Sequence, residues 1–211
     1  MLNVSKLVTA LAELEEDDVM EIVQEVVDEG GEFAQQAVQA CQEGMSIIGT
    51  RFETGEYFVG DLIYAGEVMT RALEILKPAL GAGEGTGPAA KMIICTVKGD
   101  VHDIGKNVVK AMLEAAGFDV IDLGIDVAPE TIVDAIKAEE IGIVALSGVL
   151  TLAVDSMKNT VDAIADAGLR DQVKVIVGGN MISAESCATI GADEWAQSPQ
   201  KTVDTCLAWS A

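Results

Sequence analysis

"MIICTVKGDVHDIGKN", residues 92–107, decides how most of the chain folds. It opens on an apolar run of strand length, breaks at Gly99, and leads into Ile104, Val108, Ala111 and Ala115, which share one face at helical spacing. A short buried run, a glycine and an amphipathic window together read as strand, loop and helix. Three runs of the same kind follow: "FDVIDLG" (118–124), "GIVALSG" (142–148) and "VKVIVGG" (173–179). Between them Ile132, Ala135 and Ile136, then Met157, Val161 and Ile164, form further helical faces. The runs are continuous rather than alternating, which predicts strands buried on both faces. A strand-helix repeat of roughly 25 residues with such strands implies a parallel sheet, helices on both sides and right-handed crossovers. Ligands of such sheets sit outside the carboxyl ends of the strands, where the winding switches, and the peptide carrying His102 follows the first strand.

Upstream the period changes. Val19, Ile22, Val23, Val26 and Val27, then Ala34, Val38, Cys41, Met45, Ile48 and Phe52, then Leu62, Met69, Leu73 and Leu76 recur at helical spacing. Gly30-Gly31, the "TGEYFVGD" turn around Gly55, and Pro78 divide this half into four helices, enough to bury their stripes as a small bundle. "GAGEGTGPAA", residues 81–90, holds four glycines and a proline and reads as a flexible linker. The expected domains are therefore a helical one over 1–80, the linker over 81–90, and an α/β one over 91–211.

The net charge is -22, from 35 acidic against 13 basic side chains. That field repels phosphate backbones and anionic lipid, so neither nucleic acid nor a membrane is expected as a partner, whereas a protein with a basic docking face is. Cys41, Cys95, Cys187 and Cys206 are far apart and lie in apolar surroundings, as reduced, buried thiols of a cytoplasmic protein do. The amino terminus is acidic where a signal peptide is small and neutral, and no run approaches the ~20 apolar residues of a membrane span.

Three predicted strand ends carry unusual residues: "KGDVHDIG", "LSGVLTL" and "VGGNMIS". The fold would bring them to one rim. Asp100 lies two residues from His102, the single histidine of the chain, and could accept one ring N–H, fix the tautomer and leave the other nitrogen free for a metal or a proton. Gly99 and Gly105 allow close approach of a bulky ligand; Ser147 and Thr151 supply hydroxyls; Gly148, Gly178 and Gly179 remove bulk beside the sheet. Taken singly, each small residue is as well explained as a turn former. A metal held wholly by protein needs three or four ligands, which one histidine cannot supply. One suffices where a macrocycle provides the equatorial ligands and the protein adds an axial bond.

Residues 100–105, "DVHDIG", match the Asp-x-His-x-x-Gly signature of cobalamin-binding domains, and "SGVLT" and "VGG" follow in that family's order. "GTRFETGEYFVGDLIYAGEVM", residues 49–69, resembles the end of the helical cap of methionine synthase and of small corrinoid proteins of methyltransferase systems. The fold this resemblance implies is two-domain: an N-terminal all-α four-helix bundle cap, then an α/β Rossmann-like (flavodoxin-like) domain with a five-stranded parallel sheet. The cofactor implied is cobalamin or a related corrinoid in the base-off/His-on state, with His102 as axial cobalt ligand and Asp100 accepting its other N–H. Ser147 and Thr151 would bond the displaced base; Asp103, Gly105, Val149, Gly178 and Gly179 would contact the cofactor; Phe52 and Val59 would cover the upper cobalt face. A leucine is usual at the last of these positions. A serine that completes a hydroxyl-Asp-His relay in methionine synthase is Ala153 here, so the third member is expected to be missing or replaced by water, Thr151 or another side chain.

A chain of this extent without a substrate barrel resembles the free-standing shuttle of methanol, methylamine, quaternary amine or aryl methyl ether systems. Such a carrier, not catalytic alone, takes a methyl group on cobalt(I) from a substrate-specific methyltransferase subunit. It passes that group to an acceptor methyltransferase that uses tetrahydrofolate or coenzyme M, and a reductive activator protein restores it. A cobalamin-binding sensor or regulatory module is the alternative, although a basic DNA-binding segment is not visible. A flavodoxin-like electron carrier would need a Ser/Thr-rich first loop, which "KGDVHDIG" is not.

Overall fold

Helix α1 (Val4–Ala12) starts where the Asn3 side chain accepts the Lys6 N–H at 3.0 Å, and it is followed by α2 (Glu16–Asp28), α3 (Ala34–Glu53) and α4 (Val59–Leu76). The computed structural model describes residues 2–80 and 90–210, in two compact units. In the first, the apolar stripes face inward: Leu7, Leu11, Ile48, Leu62, Met69 and Leu76 are fully buried. Helices α1 and α3 approach closely because position 44 is glycine, where a Cβ would stand 3.0 Å from the Leu11 Cβ. Gly30 and Gly31 end α2 at positive φ, and Gly55 does the same in the turn before α4. The break between α1 and α2 has no glycine; Leu14 takes φ 61 there, and no sequence signal marks it. Arg51 and Tyr57 cap the carboxyl end of α1 by donating to the Ala12 carbonyl at 2.9 and 2.8 Å. The predicted linker, residues 81–90, lies outside the described residues except for Ala90.

The second unit is built on β1 (Lys91–Thr96), β2 (Asp119–Asp122), β3 (Ile143–Ser147), β4 (Lys174–Gly178) and β5 (Glu194–Ala196). They form one parallel sheet in the order β2-β1-β3-β4-β5. Helices α5 (Ile104–Ala115), α6 (Pro129–Glu139), α7 (Thr151–Asp166), α8 (Ala184–Ile190) and α9 (Pro199–Ser210) alternate with the strands. β1, β3 and β4 are buried almost throughout, as continuous apolar runs require. β2 is not: as an edge strand its four residues are exposed or half-buried, a correction to the expectation of burial on both faces. β5 is three residues long and gives too short a pattern to be read from sequence.

Two departures bear on the site. Ile104, placed by periodicity on the inner face of α5, is 69 % exposed, because the first helical residue projects past the end of the sheet; Val108 and Ala115 are buried as their spacing requires. All four cysteines are buried, and burial pushes the Cys41, Cys95 and Cys206 thiols up to about 12. No helix among the described residues is long and apolar enough to cross a membrane.

Candidate functional site

The winding switches between β1 and β3, the first continuing to β2 on one side and the sheet growing through β4 and β5 on the other. Register pairs Thr96 with Ser147 and Ser147 with Gly178, so the three loops singled out in the sequence leave the sheet side by side. The first is bent by Gly99 at φ 83 and braced from the β2–α6 loop: Gly99 N donates to the Asp126 carboxylate at 2.8 Å and Asp126 N donates to the Asp100 carbonyl at 3.0 Å.

Asp100 is fully buried, and its carboxylate is held at both oxygens. One accepts from His102 N at 3.0 Å and from the His102 ring Nδ1 at 2.7 Å. The other accepts from the main-chain N–H groups of Val149 at 2.7 Å and Leu150 at 3.0 Å. A carboxylate offers about four lone-pair positions, and four donors fill them. Burial alone would raise this carboxyl, but the His102, Leu150 and Val149 hydrogen bonds outweigh it and hold Asp100 well below the usual carboxylate range. An ionised acceptor fixes the proton on Nδ1, which leaves Nε2 with its lone pair. The His102 side chain is 52 % exposed, open to a ligand. Its main chain is pinned too: the buried Thr96 hydroxyl donates to the His102 carbonyl at 3.0 Å.

Beside the imidazole lies a cleft of about 170 Å³. Of the residues singled out in the sequence, His102, Gly105, Ser147, Val149, Gly178 and Gly179 line it. Asp103 and Thr151 do not; both are exposed, Asp103 just before α5 and Thr151 as the first residue of α7. Phe52 and Val59 belong to the helical unit, half-buried at the last turn of α3 and the first residue of α4. A Cβ on Gly105 would meet nothing within 4 Å, so that position leaves open space in the cleft wall. A Cβ on Gly179 would stand 1.8 Å from the Gly148 carbonyl oxygen, so its absence permits two loops to touch.

Of the alternatives open for the third member of the relay, no side-chain hydroxyl takes its place among the described residues. Ala153 is buried under the Gly148 turn, and neither Thr151 nor any other side-chain hydroxyl hydrogen-bonds to Asp100 among the described residues. Two main-chain amides occupy that side of the carboxylate, because the chain turns into α7 directly against it.

These residues fit a corrinoid. Among the described residues no cluster of three His, Cys, Asp or Glu side chains could hold a metal ion, so His102 can offer one axial bond to a metal that brings its own equatorial ligands. Exposed apolar side chains lie on the same strand-end loops and helix starts, namely Val101, Ile104, Ile125, Leu150, Leu152 and Met181, a surface that a large ring could cover. The cleft can take a tail.

Comparison with known proteins agrees. A family model described as B12 binding domain matches residues 90–203, and a second with the same description matches residues 4–77. The chain belongs to the B12-binding family. A crystal structure of a cobalamin-binding protein from Desulfitobacterium hafniense is similar to this B12-binding chain with a TM-score of 0.89 and 43 % identity, over 99 % of each chain. A trimethylamine corrinoid protein of Methanosarcina acetivorans is 31 % identical over 95 % of this chain and 93 % of its own. The methanol:cobalamin methyltransferase complex of Methanosarcina barkeri has a chain similar to it with a TM-score of 0.78 and 25 % identity, over 97 % of this chain and 79 % of that one.

Sequence reasoning missed several residues of the site in this B12-binding chain. Thr96 was signalled only as the one polar residue in an apolar strand run. Lys106, a nearly buried cation in the cleft wall held by Asp122 and Asn107, falls on the helix side opposite the Ile104, Val108, Ala111 and Ala115 stripe, so the periodicity did not mark its burial. Leu150 acts through its main-chain N–H, for which a sequence carries no mark.

Proposed function

We propose that this chain is a corrinoid methyl carrier that works between methyltransferases. The observation that carries the reading is the Asp100-held His102 imidazole, with its Nε2 free, beside a cleft lined by Ser147, Gly178 and Gly179. The likeness to a trimethylamine corrinoid protein and to a chain of a methanol:cobalamin methyltransferase complex supports a substrate-specific methyltransferase as donor partner. In this reading residues 1–80 are the helical domain and 91–211 the corrinoid-binding domain. The corrinoid, when bound, supplies a cobalt that takes up and releases the methyl group. His102 would hold that cobalt through Nε2, the base-off/His-on arrangement, and Asp100 orients the ring by accepting Nδ1–H. Ser147 and Val149 would border the displaced base, and the missing side chains of Gly105, Gly178 and Gly179 would leave room for the tail. Phe52 and Val59 would contribute apolar contacts to the bound cofactor. The acceptor partner is a methyltransferase that uses tetrahydrofolate or coenzyme M, and a reductive activator protein restores the carrier.

Reconstitution with hydroxocobalamin tests this. One corrinoid per chain is expected, with an absorption spectrum that changes in His102→Ala to that of a complex lacking the imidazole. Methyl transfer is then followed in mixtures with methylamine and methanol methyltransferases. A chain that binds no corrinoid, or whose spectrum is the same with and without His102, rules the reading out.

A further inference from the structure

The carboxylate of Asp100 joins two loops that are about fifty positions apart in the chain. One oxygen holds His102; the other holds the amides of Val149 and Leu150, at separations of 49 and 50 residues. A side-chain hydroxyl in the second role could rotate away on its own. Main-chain amides cannot, since they move only if the β3–α7 loop moves. That loop is itself wedged. Gly148 N donates to the Gly178 carbonyl at 3.1 Å, and the Gly148 carbonyl lies where a Cβ of Gly179 would be. A continuous line of direct contacts thus runs from Gly179 through Gly148 and the two amides to Asp100 and the imidazole, and Gly179, Val149 and His102 all line the cleft. Charge-assisted bonds of 2.7 Å at both ends of a fully buried carboxylate leave it little freedom to absorb a displacement.

We infer that Asp100 makes the β3–α7 loop part of the axial-ligand site: whatever packs in the cleft against that loop sets how firmly the His102 imidazole is held. The inference rests on the proposed function and adds a linkage between two parts of one ligand, the nucleotide tail in the cleft and the metal at the imidazole. Such linkage is reciprocal, so a change confined to the loop should alter binding of a corrinoid that has no tail.

The chain has a single histidine, so its imidazole gives one unambiguous pair of ring-nitrogen NMR signals, Nδ1 and Nε2. Leu150 has φ -80, which proline also adopts, so Leu150→Pro is compatible with the local φ, and it replaces one amide donor by a ring methylene that presses on the Asp100 carboxylate and displaces the loop from it. In the ligand-free protein the Nδ1–H signal should shift in Leu150→Pro and stay in place in Lys158→Ala, an exposed substitution further along α7 that lies outside the cleft and the contact line. Titration with diaquacobinamide, a corrinoid without the nucleotide, should show affinity reduced by about fivefold or more in Leu150→Pro. It should be unchanged in Lys158→Ala, and the Leu150→Pro effect should vanish in the His102→Ala background. If Leu150→Pro does not fold, Gly148→Ala serves instead, since its added Cβ would press on Ala153 at 2.4 Å and displace the same loop. An unmoved imidazole signal in a folded loop variant, or a fivefold loss that persists without His102, overturns the inference while hydroxocobalamin binding by the parent chain keeps the proposed function. A parent chain that binds no hydroxocobalamin overturns both.

Discussion

The β1–α5 loop and the β3–α7 loop meet at the same carboxylate, yet they serve it in different ways. The first contributes side chains of definite chemistry, Asp100 and His102, with Gly99 to bend the backbone. The second contributes backbone, the Val149 and Leu150 amides, and its side chains at these positions are interchangeable as far as Asp100 is concerned. A loop that acts through side chains announces itself by residue type. One that acts through its main chain depends on neighbours that let it come close, here Gly148 and Gly179, and on the start of α7.

Substitutions can break this contrast at its strongest point first. Gly179→Ala places a Cβ against the Gly148 carbonyl at a φ of +139, and backbone strain plus overpacking should cost about 3–5 kcal/mol, read from urea unfolding. If the alanine variant were as stable as the parent, the close approach of the two loops would not be what holds the second one. Asp100→Ala strips the acceptor from two buried amides and should destabilise by about 3 kcal/mol in the same measurement. Asp100→Asn should recover part of that loss, because one amide oxygen can face either loop but not both. Thr96→Val, which keeps the shape and removes the donor to the His102 carbonyl, should cost about 1 kcal/mol and broaden the imidazole signal. Gly105→Ala gives the smallest change in stability and one of opposite sign. Its Cβ meets no protein atom and alanine is the better helix former, so up to ~1 kcal/mol is gained, while corrinoid affinity in an absorption titration should fall roughly tenfold as the cleft wall thickens.

Much of the fold was legible because burial leaves a periodic trace. Continuous runs at β1, β3 and β4 identified interior parallel strands, and the stripe through Leu62, Met69 and Leu76 identified a helix that faces a core. The pattern failed where burial is partial: β2 lies at an edge, β5 is short, and Ile104 begins a helix beyond the sheet. Within the site the same division holds. Asp100 and His102 were readable from a two-residue spacing, Gly178 and Gly179 from their lack of bulk beside the sheet, and Gly105 as a place where a bulky ligand can approach. Ala153 was readable as a gap in the relay, but not what stands opposite it, because spacing along a helix start does not say whether a hydroxyl or an amide faces a given oxygen.

By itself, then, the sequence determined a helical half and a parallel α/β half, the rim on which the chemistry lies, and a lone imidazole with its carboxylate partner. These follow from local rules: apolar period, glycine placement and the reach of one side chain to another two residues away. Only the tertiary structure decided what fills the far side of Asp100. A carboxylate in the interior takes whatever donors surround it, and those come from a loop about fifty residues downstream, delivered by the pairing of β1 with β3 and by the contact of Gly148 with Gly179.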